Sequence, residues 1–466
     1  MPSIKQDVEA AHWGIDPVPD AGRRLSGIDI AVLWGDLGVG LLVIITGALL
    51  VAPPKQFGFG LALTPAIVAI VLGSILGCVL LAFGGLAGAR EGRPTMTLLR
   101  PVLGNQGSWI PSVLNAAQLL GWTAVELWAM ALVGEHLGAV LFGFSSFGLW
   151  LALFTALVLA LVSWGPLGVV RAWMERFGIW VLLAIGVIVS GYVLLTVDLA
   201  GLFARPGAGG AALLGPPLDL VIVMPVSWLP LVADYNRFSR AGRGSFWGTF
   251  GGYLAANIWF YALGALLVAG VKGASPDPAG LAMALVSLGG AGLTGSLLLA
   301  GLLVGETDEA FADAYSAAVS LRNIVPGADG RVLVVVVTLL GAGLAGRFSM
   351  GTYELFLFLL GSVFLPLFGV WFADYFVLGN RVSAGGVRLR AVLGWLAGFL
   401  VYHWIAPTPL DWWTGLTERL FGQPLSVRFP WLGASLPSFL VAFGLHLLVG
   451  SRRRERAPAR PGSPRG

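Results

Sequence analysis

The sequence predicts an all-α polytopic membrane protein. About twelve transmembrane helices form two inverted five-helix repeats plus two further helices, and the first and sixth are interrupted. Three observations predict this. The 466 residues are 57% hydrophobic and 11% charged, with a mean hydropathy of +0.85, whereas a soluble domain carries about 25% charged residues. Apolar runs long enough to span a bilayer recur about twelve times. Two of these runs, the first and the sixth, carry helix breakers at their middles.

Residues 1–27 are polar and mixed in charge, and read as a cytoplasmic segment with no apolar signal-peptide core. The spans are expected at 28–52, 61–88, 110–133, 147–164, 176–197, 219–238, 246–270, 295–321, 331–346, 348–378, 389–406 and 433–450. Repeat one then covers about 28–197 and repeat two about 219–378. The extra helices are 389–406 and 433–450, and the membrane domain as a whole is 28–450. The run Leu281–Leu288 is too short to span and reads as a loop helix. The outer segment 407–432, with Trp412, Trp413, Phe421 and Trp431, reads as an interfacial aromatic belt. Residues 451–466 are basic, Pro-containing and without apolar periodicity, and read as a disordered cytoplasmic tail that can rest on anionic lipid.

Lysine and arginine placement orients the spans. With the N-terminus inside, 22 of the 28 basic residues fall on inner segments. That bias predicts cytoplasmic termini in a cell (inner) membrane protein. The net charge of +4 is therefore topological and implies no nucleic-acid partner. The single cysteine, Cys78, sits in an apolar run and reads as packing.

The first break reads Leu33-Trp-Gly-Asp-Leu-Gly-Val-Gly40, and the sixth Met224-Pro-Val-Ser-Trp-Leu-Pro230. Glycine lowers helix stability, and proline removes a donor and clashes with the preceding turn. Such breaks also serve close packing or kinks. Paired in corresponding positions of two halves, they point to a transporter's binding site. Asp36 lies beside the first break, as a polar contact or as a ligand for a cation or an amine.

The third span sets Gln118, Trp122 and Glu126 at i, i+4 and i+8, on one helical face. An amide, an indole plate and a carboxylate suit a flat heteroaromatic ligand, although a membrane-helix Trp is often packing alone. The eighth span carries Glu306, Glu309 and Asp313 at i, i+3 and i+7, with Thr307 and Asp308 beside them. An ionised acid at a helix centre costs about 2.5 kcal/mol or more in a bilayer, so these acids call for a wet cavity, a cation or a polar ligand. A hydroxyl–carboxylate pair suits Na⁺, and a partly desolvated acid suits H⁺. Glu306 also fits a place at the water boundary.

At Gly107-Ser-Trp-Ile-Pro-Ser, Gln118-Leu-Leu-Gly-Trp-Thr-Ala-Val and Ala233-Asp-Tyr-Asn-Arg-Phe238, the chain resembles the nucleobase–cation symporters. The resemblance continues at Phe311-Ala-Asp-Ala-Tyr-Ser, Gly361-Ser-Val-Phe-Leu-Pro-Leu-Phe-Gly and Ala373-Asp-Tyr-Phe376, and is strongest to the cytosine and hydroxymethylpyrimidine branch. It implies a LeuT-type fold. It implies that Gln118 and Trp122 meet the base, that Ser227 meets it from the sixth span, and that Trp228 can reach the ring. It implies Na⁺ ligation at Thr307 and Asp308, and an approach of Asp313 to the substrate. This sequence has Thr307-Asp308-Glu309 where the family tends to have a threonine run. It has Asp36 and Glu126 where the family usually has small or neutral residues.

The expected function is a cation symporter importing a small pyrimidine such as hydroxymethylpyrimidine or cytosine by alternating access. Substrate contacts are expected from Gln118, Trp122, Glu126, Ser227, Trp228, Glu309 and Asp313. The cation is expected at Thr307 and Asp308, near Asp36 and the carbonyls around Gly35. No cofactor is expected beyond the coupling ion, Na⁺ or H⁺. Besides lipid and substrate no partner is implied, and a monomer is compatible with the pattern. The alternative is a LeuT-like transporter of an amino acid, polyamine or other small cationic metabolite. An enzyme is not expected: His12, His136, His403 and His446 are scattered, and neither HExxH nor GxSxG occurs.

Overall fold

The computed structural model describes residues 14–207, 213–287, 293–379, 385–408 and 410–456. Helices account for nearly all regular structure among them. Six single helices are long and apolar enough to cross a membrane: Leu63–Glu91, Trp109–Phe142, Gly165–Thr196, Gly215–Asn236, Gly242–Gly270 and Met350–Leu378. Gly27–Asp36 and Leu41–Val51 form one further span, bent by 59° at its break. Leu293–Arg322 has the length to cross but carries the acids of the eighth span. Four shorter apolar helices, Phe147–Leu161, Gly330–Ala345, Leu389–Ile405 and Ser435–Gly450, bring the set to the expected dozen or so. Pro278–Ser287 is the expected loop helix.

The two breaks fall slightly later than the breaker residues suggest. Gly35 still lies in the last turn of Gly27–Asp36, and the chain leaves the helix at Leu37–Gly40. Pro225 lies inside the helix Gly215–Ser227, and the interruption is at Trp228–Leu231, before Val232–Asn236. Pro230, which has no N–H to donate and disfavours helix at Leu229, lies inside that interruption. The fifth span differs in its start. Its helix begins at Gly165 and widens to π-type turns over Val169–Gly178 before Ile179–Thr196. Such widened turns are frequent at functional sites.

Packing brings the broken helices to the centre. The seventh span packs along both halves of the first and along the second. Glycine permits this approach: a Cβ at Gly252 would collide with Ala31, and one at Gly264 with the Ile44 carbonyl. The third and eighth spans also pack extensively against each other. The last three long helices form a separate group, in which Met350–Phe372 and Leu389–Ile405 both lie against Ser435–Arg456. Asp219 ties this group to the sixth span. Its carboxylate accepts from Ala434 N at 2.5 Å and Ser435 N at 2.9 Å, capping the last helix.

From Gly14 onward the segment before the first span is packed, not loose. Ile15, Val18 and Leu25 are buried. Val18 N donates to Gly92 O, Leu25 N to Phe238 O and Arg240 N to Leu25 O. This strap crosses the ends of the second and sixth spans. Arg237 joins it, donating to Gly14 O at 2.7 Å, Tyr315 Oη at 2.8 Å and Asp234 O at 3.1 Å. At the other end, the final helix continues to Arg456, six residues into the expected tail. The rest of that tail, 457–466, and residues 1–13 of the N-terminal segment lie outside the described residues.

Candidate functional site

The site forms where both broken helices meet the third and eighth spans. A break leaves backbone groups without helical partners, and inside a membrane these must be satisfied by protein. In the first span, Gly40 caps the second half-helix, whose first residue is Leu41. The Leu41 N–H donates to the carboxylate of Glu306. A half-helix N-terminus carries partial positive charge, so an acid is favoured there. A side chain at Gly40 would displace these acids: a Cβ would stand 2.7 Å from Glu309 Oε1 and 2.9 Å from Glu306 Oε1.

At the sixth-span break the third span supplies donors. Gln118 Nε2 donates to Asn115 Oδ1 at 2.7 Å and to Ser227 O at 3.4 Å. Asn115 Nδ2 reaches Ser320 Oγ at 2.8 Å and Pro230 O at 3.4 Å. These amides therefore hold the freed carbonyls of the break and link three spans.

Between the breaks lies a contracted cavity of about 10 Å³, space for about one water. Leu37, Val43, Trp122, Glu126, Met224, Ser227, Trp228, Glu309 and Asp313 line it. The lining includes every expected substrate residue except Gln118, which is turned to the sixth-span break. The two indoles are held from behind. Trp122 meets Phe356 at 5.2 Å and Tyr353 at 6.2 Å between ring centroids, both edge-on. Trp228 meets Trp34 edge-on at 6.0 Å. Trp34 is itself fixed by a 2.7 Å bond from Nε1 to Asn236 Oδ1. Tyr353 Oη lies 2.9 Å from Thr46 Oγ1. Neither Trp34 nor Tyr353 stood out in the sequence, because a supporting aromatic has no spacing signature.

Six carboxylates are buried around this centre: Asp36, Glu126, Glu306, Asp308, Glu309 and Asp313, none more than 5% exposed. Five of them fall into two groups, and Asp313 lines the cavity beside them. Glu126, Glu306 and Glu309 bring carboxylate oxygens within 4.8 Å of one another, close enough to share a cation. Asp36 and Asp308 face each other on the far side of the eighth helix, beside Gly178 of the widened fifth span. A Cβ at Gly178 would stand 3.1 Å from Asp36 Oδ1 and 3.4 Å from Asp308 Oδ2. Glu306 is 1% exposed, which removes the water-boundary alternative. It belongs to the site although only its spacing to Glu309 hinted at this.

The remaining expected cation residues are less directly placed. Thr307 donates its hydroxyl to Val304 O at 2.6 Å, which leaves oxygen lone pairs for a cation. Gly35 packs toward the backbone of Gly252. Asp36, Thr307 and Asp308 offer oxygen donors, a set suited to Na⁺ or H⁺ over soft metals.

Comparisons with known proteins bear on the family and the fold. The family model described as "Permease for cytosine/purines, uracil, thiamine, allantoin" matches residues 17–414. The hydantoin permease of Microbacterium maritypicum is 25% identical over 387 residues, covering 78% of this chain and 76% of that one. The cytosine permease of Escherichia coli (strain K12) is 24% identical over 366 residues, covering 75% and 80%. Among solved structures, a nucleobase-cation-symport-1 family transporter in a closed conformation with bromovinylhydantoin bound superposes with a TM-score of 0.76. It is 21% identical and covers 96% of each chain. The fold is therefore LeuT-type, as the two broken helices lead one to expect.

Proposed function

This chain belongs to the family of permeases for cytosine/purines, uracil, thiamine and allantoin, and on that premise we propose that it imports a small aminopyrimidine, such as hydroxymethylpyrimidine or cytosine, together with Na⁺ or H⁺. The observation that carries this reading is the pairing of Trp122 and Trp228 in one cavity with Glu126, Ser227, Glu309 and Asp313. Flat rings stack on indoles, and exocyclic amines donate to carboxylates. Trp122 stacks on the ring. Glu126, Asp313 and Ser227 receive its edge, with Glu309 beneath. Gln118 sets the shape of the sixth-span break against which the ring rests.

The cation belongs to the eighth-span side. Asp36, Thr307 and Asp308, with carbonyls of the first-span break past Gly35, supply hard oxygens. Because the first span contributes to both regions, bound cation and bound base stabilise the same arrangement of its two halves. That is the linkage symport needs. The cavity is too tight for a ring as it stands, so the helices part for entry and close behind the substrate, as alternating access requires. Basic residues concentrated on inner segments support cytoplasmic termini in the cell membrane, and one chain contains the whole path.

The test is uptake of labelled cytosine and hydroxymethylpyrimidine into proteoliposomes, with and without a Na⁺ gradient, at two pH values. Saturable uptake that depends on a cation gradient and disappears in Trp122→Ala is the expected result. Saturable uptake of amino acids with no competition by pyrimidines would replace this reading.

A further inference from the structure

The polar wall of the central cavity is almost entirely made of acceptors. Glu126, Glu309 and Asp313 line it, and no Lys, Arg or His is in the lining. Ser227 adds an acceptor, since its hydroxyl proton is given to Met224 O at 2.6 Å. The ring donors among the lining side chains are the indole N–H groups of Trp122 and Trp228, and Trp122 Nε1 has no hydrogen-bond partner although Trp122 is only 6% exposed. Glu126 Oε2 is likewise buried and unpartnered. Arg237, on the same broken span as Trp228, is committed to Gly14 O, Asp234 O and Tyr315.

A neutral base with several carbonyl oxygens fits this wall poorly when the wall's carboxyls are ionised. Its acceptors would face carboxylates, and buried acceptors without donors are unfavourable. A flat cation with N–H donors on more than one edge fits well. Its donors meet Glu126, Glu309 and Asp313 in charge-assisted bonds. Its faces meet the two indoles, which attract a delocalised positive charge. The cation also offsets mutual repulsion among acids that are otherwise expensive at this depth.

We infer that the preferred substrate is a planar monocation of amidine type, such as a protonated amino-substituted heterocycle, in place of a neutral carbonyl-bearing base. The inference rests on the substrate cavity described under the proposed function and deepens it.

Benzamidine and benzamide test it, being flat, nearly equal in size and different in charge and donor count. Binding to the purified full-length chain is followed by quenching of tryptophan fluorescence and by thermal shift. Benzamidine should bind at least tenfold more tightly than benzamide. Asp313→Asn and Glu126→Gln should each bring that ratio toward one. Equal binding of the two probes by the wild-type protein overturns the inference, without recourse to any variant. So does a ratio that both variants leave unchanged. Cytosine uptake that is saturable and Trp122-dependent, beside equal binding of the two probes, removes the charge preference and leaves the proposed function standing. Benzamidine binding that keeps its wild-type affinity in Trp122→Ala places the cation outside the cavity and overturns the inference as well.

Discussion

Glu306, in the eighth span, accepts the backbone N–H of Leu41, the first residue of the second half of the broken first span. One hydrogen bond thus joins the acid-rich helix to the second half of the broken first span. The same carboxylate lies with Glu126 and Glu309 in the triad. Any change of charge in that triad is therefore felt at the first-span break.

Removing the acceptor should be costly. Glu306→Ala leaves a buried N–H without a partner, which costs about 1–3 kcal/mol. Glu306→Gln keeps an acceptor and should lose less. Thermal melts of the detergent-purified variants measure this, with alanine expected below glutamine and glutamine below wild type. Uptake should fall in the same order.

Gly40→Ala is expected to abolish transport. Its methyl would enter the space of the Glu306 and Glu309 carboxylates, at 2.9 and 2.7 Å. Overpacking of this kind costs about 1–3 kcal/mol. Gly143→Ala serves as a control, as a Cβ there meets nothing within 4 Å, although its φ of +72° adds local strain. Cytosine uptake near wild type in Gly40→Ala would mean that the carboxylates yield freely.

Asp36→Asn and Asp308→Asn should change the response to the cation more than the choice of base. The two acids face each other beside Gly178 and do not line the substrate cavity. Initial uptake rates across a Na⁺ series and a pH series should shift in half-saturation by about tenfold, equivalent to roughly 1.4 kcal/mol. The ranking of competing bases should remain. A changed ranking with an unchanged ion response would assign the pair to the substrate.

Tyr353→Phe should weaken substrate binding without touching the substrate. Tyr353 packs edge-on against Trp122 and is held by Thr46 at 2.9 Å. Loss of that bond costs about 0.5–1.5 kcal/mol. The expected signature is a severalfold rise in KM with a smaller change in maximal rate.

Asp219→Asn should act on stability alone. It weakens the cap on the last helix, worth about 0.5–2 kcal/mol. A lower Tm with normal KM is the expected outcome. A raised KM would tie the last helices to the transport cycle.

Much of this molecule was determined by local sequence. Hydropathy and length set the spans, because a bilayer admits few other solutions. Breakers marked the first and sixth helices, and helical spacing put Trp122 with Glu126 and Glu309 with Asp313 on shared faces. What only the tertiary structure decided is which faces converge. Gln118 shares a stripe with Trp122, yet it turns to the carbonyls of the sixth-span break, because those carbonyls need donors. Glu306 became a cap through a residue 265 positions earlier in the chain. Asp36 met Asp308, while Trp34 and Tyr353 became the backing of the two indoles. Periodicity reports the face of one helix. The partner of that face is set by packing among segments far apart in sequence, where no local pattern records it.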